Sequence, residues 1–459
     1  MPAVAAANPD QLQAALARGP ASAGELAAVL QVSVPTLHRL LQRLPSPVVR
    51  AGAARRTRYA LPRAVRGAAM SWPLYAVDAS GQVSTLSQLS PVRPEGSWMA
   101  LTDSAWPVPE EARDGWWDGL PYPLHQMRPQ GYMGRQFAQV QAQTLGVPAN
   151  PLAWSDEDVL VALSQRGTDL SGNLILGDVA CEQWLATRAN PLAPLAPRGL
   201  GARYLQLAEQ AVAAGVVGSS AGGEFPKFTA QRALADSATP HVLVKFSGAD
   251  DSAAVRRWSD LLVCEHLAAA HAEAMPGIVS ARTRIVMHGG RTFLEVERFD
   301  RHGDAGRSPL CALDILNATF LGDSPMDWPH LASRLAALKL VNDDDLLRVQ
   351  RLWWFGRLIA NTDMHAGNLS FRPEAGRLAL APMYDMLPMR YAPLGGGEVP
   401  RHSFEPTLPL PSQRAVWHEA CDAASAFWLA VGGDRRIGDG FRATAAANAI
   451  ALGRLRDKA

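Results

Sequence analysis

Lysine is scarce in this chain: of 44 basic residues, only Lys227, Lys245, Lys339 and Lys458 are lysines. Cysteine is as rare. Cys181, Cys264, Cys311 and Cys421 lie far apart with no C-x-x-C pair, which argues against a disulfide frame or a zinc site and leaves them as small core residues. No uninterrupted apolar run reaches the roughly 18 residues of a membrane span, and the Ala-rich start has no basic signal-peptide region, so no membrane partner and a cytoplasmic location are expected. Hydrophobic residues make up 48% and charged residues 19%, which excludes a disordered chain. At 459 residues two or three domains are expected.

The net charge of +1 conceals an asymmetry. Residues 1–66 hold nine arginines against Asp10 and Glu25, so a basic module precedes a mildly acidic body. From Pro9 the apolar spacing predicts three short helices, the second starting at Ser22 or Ala23 and the third capped near Ser33 or Val34 with Pro35 in its first turn. Leu37, Leu40, Leu41 and Leu44 form the buried stripe of that third helix. Its other face carries Thr36, His38, Arg39, Gln42 and Arg43, side chains able to reach bases and phosphates. "VVRAGAARRTRYAL" then reads as a hairpin bearing Arg50, Arg55, Arg56 and Arg58. Residues 1–68 are therefore expected to be a winged helix-turn-helix that binds DNA through Thr36, His38, Arg39, Arg43, Arg55, Arg56 and Arg58. The plainer alternative is a three-helix packing domain with solvated arginines.

In the body, "DDDLLRVQRLWWFGRLIA" has the dense apolar spacing of a buried helix, and "NTDMHAGNLSF" follows it. "NLSF" and "RLALAPM" are strand candidates around "RPEAG". Such a hairpin would bring Asn368 and Asp385 together beside Asp363. That trio suits phosphoryl transfer, in which an acid takes the acceptor proton and an amide and a carboxylate hold Mg²⁺ against nucleotide phosphates. D-x4-N alone is weak, since an Asp capping a loop and an Asn closing a turn give the same residues. Lys245 interrupts the apolar strand "HVLVKF", where a compact ammonium suits phosphate contact. Glu265, in the following helix, could pair with it. "VVGSSAGGEFPKF" is a candidate phosphate-covering loop.

These stretches, with "LEVERFDR" and "LAPMYDMLP", come in an order that resembles the HipA family of toxin–antitoxin serine/threonine kinases, over roughly residues 70–450. The resemblance implies an α+β, two-lobed protein-kinase-like fold. Its N-lobe would occupy residues 69–300 with an extra β-rich segment at about Pro73–Val140, and its mainly helical C-lobe residues 301–459. It implies Asp363 as catalytic base with His365 bracing the loop, Asn368 and Asp385 as Mg²⁺ ligands, Lys245 on the ATP phosphates, and Glu297 to Phe299 as the adenine-side hinge. Ser219, or its neighbour Ser220, stands where the family carries an autophosphorylated serine. Family targets are protein serines, aminoacyl-tRNA synthetases among them. A winged helix fused in front resembles the YjjJ-like branch and puts the need for a separate antitoxin in doubt, while a two-fold DNA site would favour a homodimer. Gly367 replaces the family's frequent lysine before Asn368, and Met364 stands where eukaryotic-type kinases have theirs, leaving Arg357 or Arg390 as candidate substitutes.

Two other classes compete: a DNA-binding regulator with a non-catalytic, ligand-sensing body, and a metal-dependent hydrolase or nuclease using Asp363 and His365. The first has no need of a base. The second needs more ligands than the segment offers.

Overall fold

The computed structural model describes residues 8–67, 69–102, 104–213, 225–324 and 326–459, and helix and strand are mixed throughout. At the front, α1 (Pro9–Leu16), α2 (Ala23–Val29) and α3 (Val34–Gln42) pack around Leu12, Leu16, Leu26, Leu37, Leu40 and Tyr59. Their starts are set locally: the side chains of Asn8, Ser22 and Ser33 accept the backbone N–H groups of Gln11, Glu25 and Thr36. Strands β1 (Ala21–Ser22), β2 (Val49–Ala51) and β3 (Arg58–Ala60) form an antiparallel sheet in the order β1-β3-β2. This unit rests on the body, with Val49, Ala51 and Ala60 against Val92, Trp98 and Trp116. Arg63 and Arg66 form ion pairs with Glu157 and Asp158, and Arg56 Nε lies 3.2 Å from Asp114.

The next layer is a five-stranded sheet in the order β7-β6-β5-β4-β8, built from β4 (Trp72–Val77), β5 (Val83–Pro91), β6 (Ser97–Trp98), β7 (Trp116–Trp117) and β8 (Leu174–Leu176). Between β7 and β8 run α4 (Tyr122–Met127), α5 (Gly131–Leu145) and α6 (Asp156–Arg166), and α7 (Asp178–Ala189) follows. The segment expected to be β-rich to about Val140 thus carries β4 to β7, with α4 and most of α5 at its end, and a strand from beyond it completes the sheet.

After α8 (Leu200–Ala213) come β9 (Lys227–Gln231), β10 (His241–Phe246), α9 (Ala253–Ala272), β11 (Thr283–His288) and β12 (Arg291–Glu297), whose strands are ordered β11-β12-β10-β9. Alternation on β10 puts Val242, Val244 and Phe246 in a cluster with Tyr204 of α8. Lys245 therefore points to the opposite face, which α9 covers. The short hairpin of β13 (Arg301–His302) and β14 (Gly306–Arg307) leads into the helical half. There β15 (Cys311–Ala312) pairs with β16 (Ser370–Glu374), which pairs with β17 (Arg377–Leu380). Helices α10 (Leu313–Phe320), α11 (Trp328–Ala337), α12 (Asp343–Leu358), α13 (Arg414–Gly433) and α14 (Asp439–Arg456) enclose Phe355, Trp417, Phe427, Trp428 and Phe441. All four cysteines are buried and free. Among the described residues no helix is long and apolar enough to cross a membrane.

Candidate active site

Lys245 is 2% exposed, which an unpaired ammonium could not tolerate. Its Nζ donates to both carboxylate oxygens of Glu265, at 2.7 and 2.8 Å, and to Asp385 Oδ1. Burial pulls the ammonium pKa below its ordinary range, and Glu265 opposes that pull. Lys227 stands directly across the β9–β10 pair and adds to the depression, while Asp363 is near enough to favour the charged form. Glu265, which the sequence left open as a surface residue, is 4% exposed. Asp385 reaches Lys245 from backbone held at φ +54°, a left-handed conformation costly for a residue with a Cβ.

The segment after α12 is fixed by side chains that look dispensable in sequence. Buried Asn361 accepts the Asp363 N–H at 3.0 Å and sets the turn that presents the Asp363 carboxylate, which is half exposed. Asn368 Nδ2 donates to the Asp363 carbonyl at 2.9 Å, which leaves its own side-chain oxygen available as a hard metal donor. His365 Nδ1 accepts the Gly367 N–H at 3.1 Å, while its Nε2 stands 3.9 Å from Asp363 Oδ1. From beneath, Trp328 Nε1 donates to the His365 carbonyl at 3.0 Å and the Tyr384 hydroxyl donates to the Gly367 carbonyl at 2.9 Å. Burial pushes the Tyr384 phenol up to about 12, so it remains a neutral donor at physiological pH. Gly367 itself is tightly surrounded: a Cβ there would lie 3.0 Å from the His365 ring, so the loop has closed over the position where a lysine was expected. Similarly, a Cβ on Gly356 of α12 would meet Met364 Sδ at 2.5 Å.

Two groupings result, Lys245–Glu265–Asp385 and Asp363–His365–Asn368, and the β16–β17 hairpin carries Asn368 at one open end and Asp385 at the other. Glu297 and Phe299 follow β12, but the Glu297 carboxylate is taken by Arg232 at 2.8 Å and by Ser237, and the Phe299 carbonyl accepts Arg372 at 2.8 Å. The Glu297 side chain and the Phe299 carbonyl thus serve the fold, as do the Glu297 and Arg298 N–H groups, which donate to the Arg282 and His241 carbonyls at 2.8 and 3.1 Å. Ser219 and Ser220 lie outside the described residues. On the front unit His38, Arg39, Arg43, Arg55 and Arg58 are exposed and Thr36 is half-buried, whereas Arg56 is ion-paired with Asp114. The described residues contain no group of three or more His, Cys, Asp or Glu able to cage a metal, so His365 gains no partner of the kind a hydrolase centre requires. Sequence reasoning missed Asn361, Trp328 and Tyr384. Only Tyr384, next to Asp385, offered a signal.

Comparison with known proteins gives a consistent result. Residues 68–185 match the family described as YjjJ-like toxin, middle domain, and residues 219–438 match the HipA-like C-terminal domain. The Toxin YjjJ of Escherichia coli (strain K12) is 38% identical over 428 residues, covering 93% of this chain and 94% of that protein. A chain from the complex of the Shewanella oneidensis MR-1 toxin–antitoxin system HipA, HipB and its operator DNA superposes with a TM-score of 0.52 at 14% identity, covering 84% of this chain and 99% of that one. At that identity the likeness is one of fold.

Proposed function

Because the chain belongs to the HipA-like toxins and carries a YjjJ-like middle domain, we propose that it is an ATP- and Mg²⁺-dependent kinase that phosphorylates serine or threonine hydroxyls of a protein. The observation that carries this reading is Lys245, buried in a strand and held between a helix carboxylate and the carboxylate at the end of the catalytic hairpin. A purely structural lysine would be better replaced by an apolar residue in such a strand. The donor set also fits the cofactor, because one carboxylate and one free amide oxygen suit a hard cation bound largely through phosphate.

ATP with Mg²⁺ would supply the transferable phosphoryl group and neutralise its charge. Lys245 would hold the phosphates, with Glu265 keeping its ammonium oriented. Asp385 and the Asn368 amide oxygen would be the metal donors, and Glu297 to Phe299 would be the hinge on the adenine side. Asp363 would take the proton of the acceptor hydroxyl, its carboxylate aimed by Asn361. His365 would hold the loop through the Gly367 N–H. Phosphorylation of Ser219 or Ser220 would switch the enzyme off, and aminoacyl-tRNA synthetases are the target class that the family suggests.

Residues 1–68 would form a winged helix-turn-helix on DNA, α3 presenting His38, Arg39 and Arg43, with a homodimer matching a two-fold site. The Shewanella system's operator complex supports a toxin–antitoxin setting of this kind.

Binding of a non-hydrolysable ATP analogue tests the proposal. With Mg²⁺ the wild type should bind it, and Lys245→Met and Asp385→Asn should each weaken binding at least about tenfold, the scale of one charge-assisted contact. Undiminished binding by both variants, or binding indifferent to Mg²⁺, would refute it.

A further inference from the structure

Beside Asp363 the helical half opens a cleft of about 430 Å³ whose walls include Trp353, Arg357, Arg390, Phe404 and Thr407. One wall is the end of α12 and the loop that follows. The other is the segment 403–407, which has no regular secondary structure yet is tied down along its length: Arg390 Nε donates to the Ser403 carbonyl at 3.2 Å, Trp417 Nε1 donates to the Thr407 carbonyl at 3.1 Å, and Phe404 packs against Trp428 at 5.8 Å between ring centres. Arg390 is itself anchored, its N–H donating to the Ala360 carbonyl at 3.1 Å.

The cations in this cleft contrast with the carboxylate-matched arginines of the interior. Buried Arg232 is matched to Glu295 and Glu297, and Arg298 and Arg301 to Asp169 and Asp300. In contrast, Arg357 lies 6.0 Å over the Trp353 ring and Arg390 uses only Nε, so neither guanidinium has a carboxylate partner among the described residues. Two carboxylates share the cleft without pairing to them. Glu405 accepts the Ser403 hydroxyl at 2.7 Å, and Asp363 is the group assigned to the acceptor proton. Two guanidinium groups with unused N–H donors in a concave site, alongside the proposed base, are built to receive an anion. An extended chain advances about 3.3 Å per residue. An acceptor hydroxyl at Asp363 therefore brings its near neighbours to these arginines.

We propose that this cleft binds the protein acceptor and that Arg357 and Arg390 select a segment carrying an acidic side chain within a few residues of the modified hydroxyl. The proposal rests on the kinase reading above and adds the substrate's chemistry to it.

The test uses the full chain and short serine-centred peptides flanked by Glu, Gln, Lys or phosphoserine, with binding read by fluorescence anisotropy and phosphate transfer by mass spectrometry. Glu-flanked peptides should bind about tenfold tighter than Gln-flanked ones, losing the advantage at high salt. Arg357→Gln and Arg390→Gln should each reduce the difference. Arg390→Glu should turn the preference toward Lys-flanked peptides, a gain that misfolding cannot imitate. Equal binding of Glu and Gln peptides by the wild type would overturn the proposal. So would preference for phosphoserine flanks alone, or a uniform fall in kcat on every peptide in the glutamine variants, which would place the guanidinium groups on the transferred phosphoryl instead. Charge-selective binding with no transfer to any peptide would sink the kinase reading while leaving the anion site standing.

Discussion

At the scale of single residues, charge inside an apolar environment is the most informative feature. Lys245 was legible because lysine is rare here and a strand interior is an unfavourable place for one. Its partner Glu265 was legible only as one of two readings, since a glutamate on a helix reads nearly as well as a solvated surface residue. Lys245→Met leaves Glu265 uncompensated and should cost about 3 kcal/mol in urea unfolding, and adding Glu265→Gln should recover much of it. If the single variant is as stable as the wild type, the pair is not the buried centre described. Gly367 shows the opposite case, in which the departure from the family pattern was visible but its cause, the His365 ring lying against that position, exists only in three dimensions.

At the scale of elements, the helix, loop and hairpin around Asp363 follow from a long dense apolar run and a turn with alternating flanks, which is why their order could be read in advance. The middle sheet could be read only in part. Strands β6, β7 and β8 have two or three residues each, too few to show a period, and β8 joins from nearly 60 residues beyond β7 through contacts that local pattern cannot encode. The segment 403–407 was invisible for a similar reason, being fixed by Arg390 and Trp417 and by no pattern of its own. Among the elements α3 carries the clearest untested role. In filter-binding or anisotropy with mixed-sequence duplex DNA, Arg39→Ala and Arg43→Ala should each weaken binding by the full chain and reduce the slope of log affinity against log salt by about one. A full chain that ignores DNA, or a slope unmoved by both changes, would leave the front unit as a packing domain.

At the scale of the whole molecule, the parts are joined by charge as well as by apolar contact. The loop after α6 reaches the start of the helical half, where Arg301 donates to Asp300 at 2.7 Å and to Asp169 at 2.9 Å, and the Gly172 N–H donates to Asp300 at 2.9 Å. Burial alone would push the Asp300 carboxyl up, but Arg298 and Arg301 outweigh it and hold it down to about 2, against an ordinary value of 3.8. A carboxyl depressed in the folded state contributes stability that is complete above its unfolded pKa and lost as pH falls through the folded one. The window is therefore pH 4 down to about 2. The urea midpoint of the wild type should fall more steeply across that window than that of Asp300→Asn, which should be less stable at neutral pH by about 3 kcal/mol. Parallel curves for the two proteins would show that this network does not couple the middle layer to the helical half.

The central claim is that Asp363 serves a phosphoryl transfer, and one experiment addresses it most directly: full-length protein with Mg²⁺ and γ-labelled ATP, wild type against Asp363→Asn, with modified residues located by mass spectrometry. The account predicts label on serine or threonine with the wild type and a loss of about 10² to 10⁴-fold in rate for Asp363→Asn, with binding of the ATP analogue retained. Transfer undiminished in Asp363→Asn, or none with a wild type that binds the nucleotide, would contradict it.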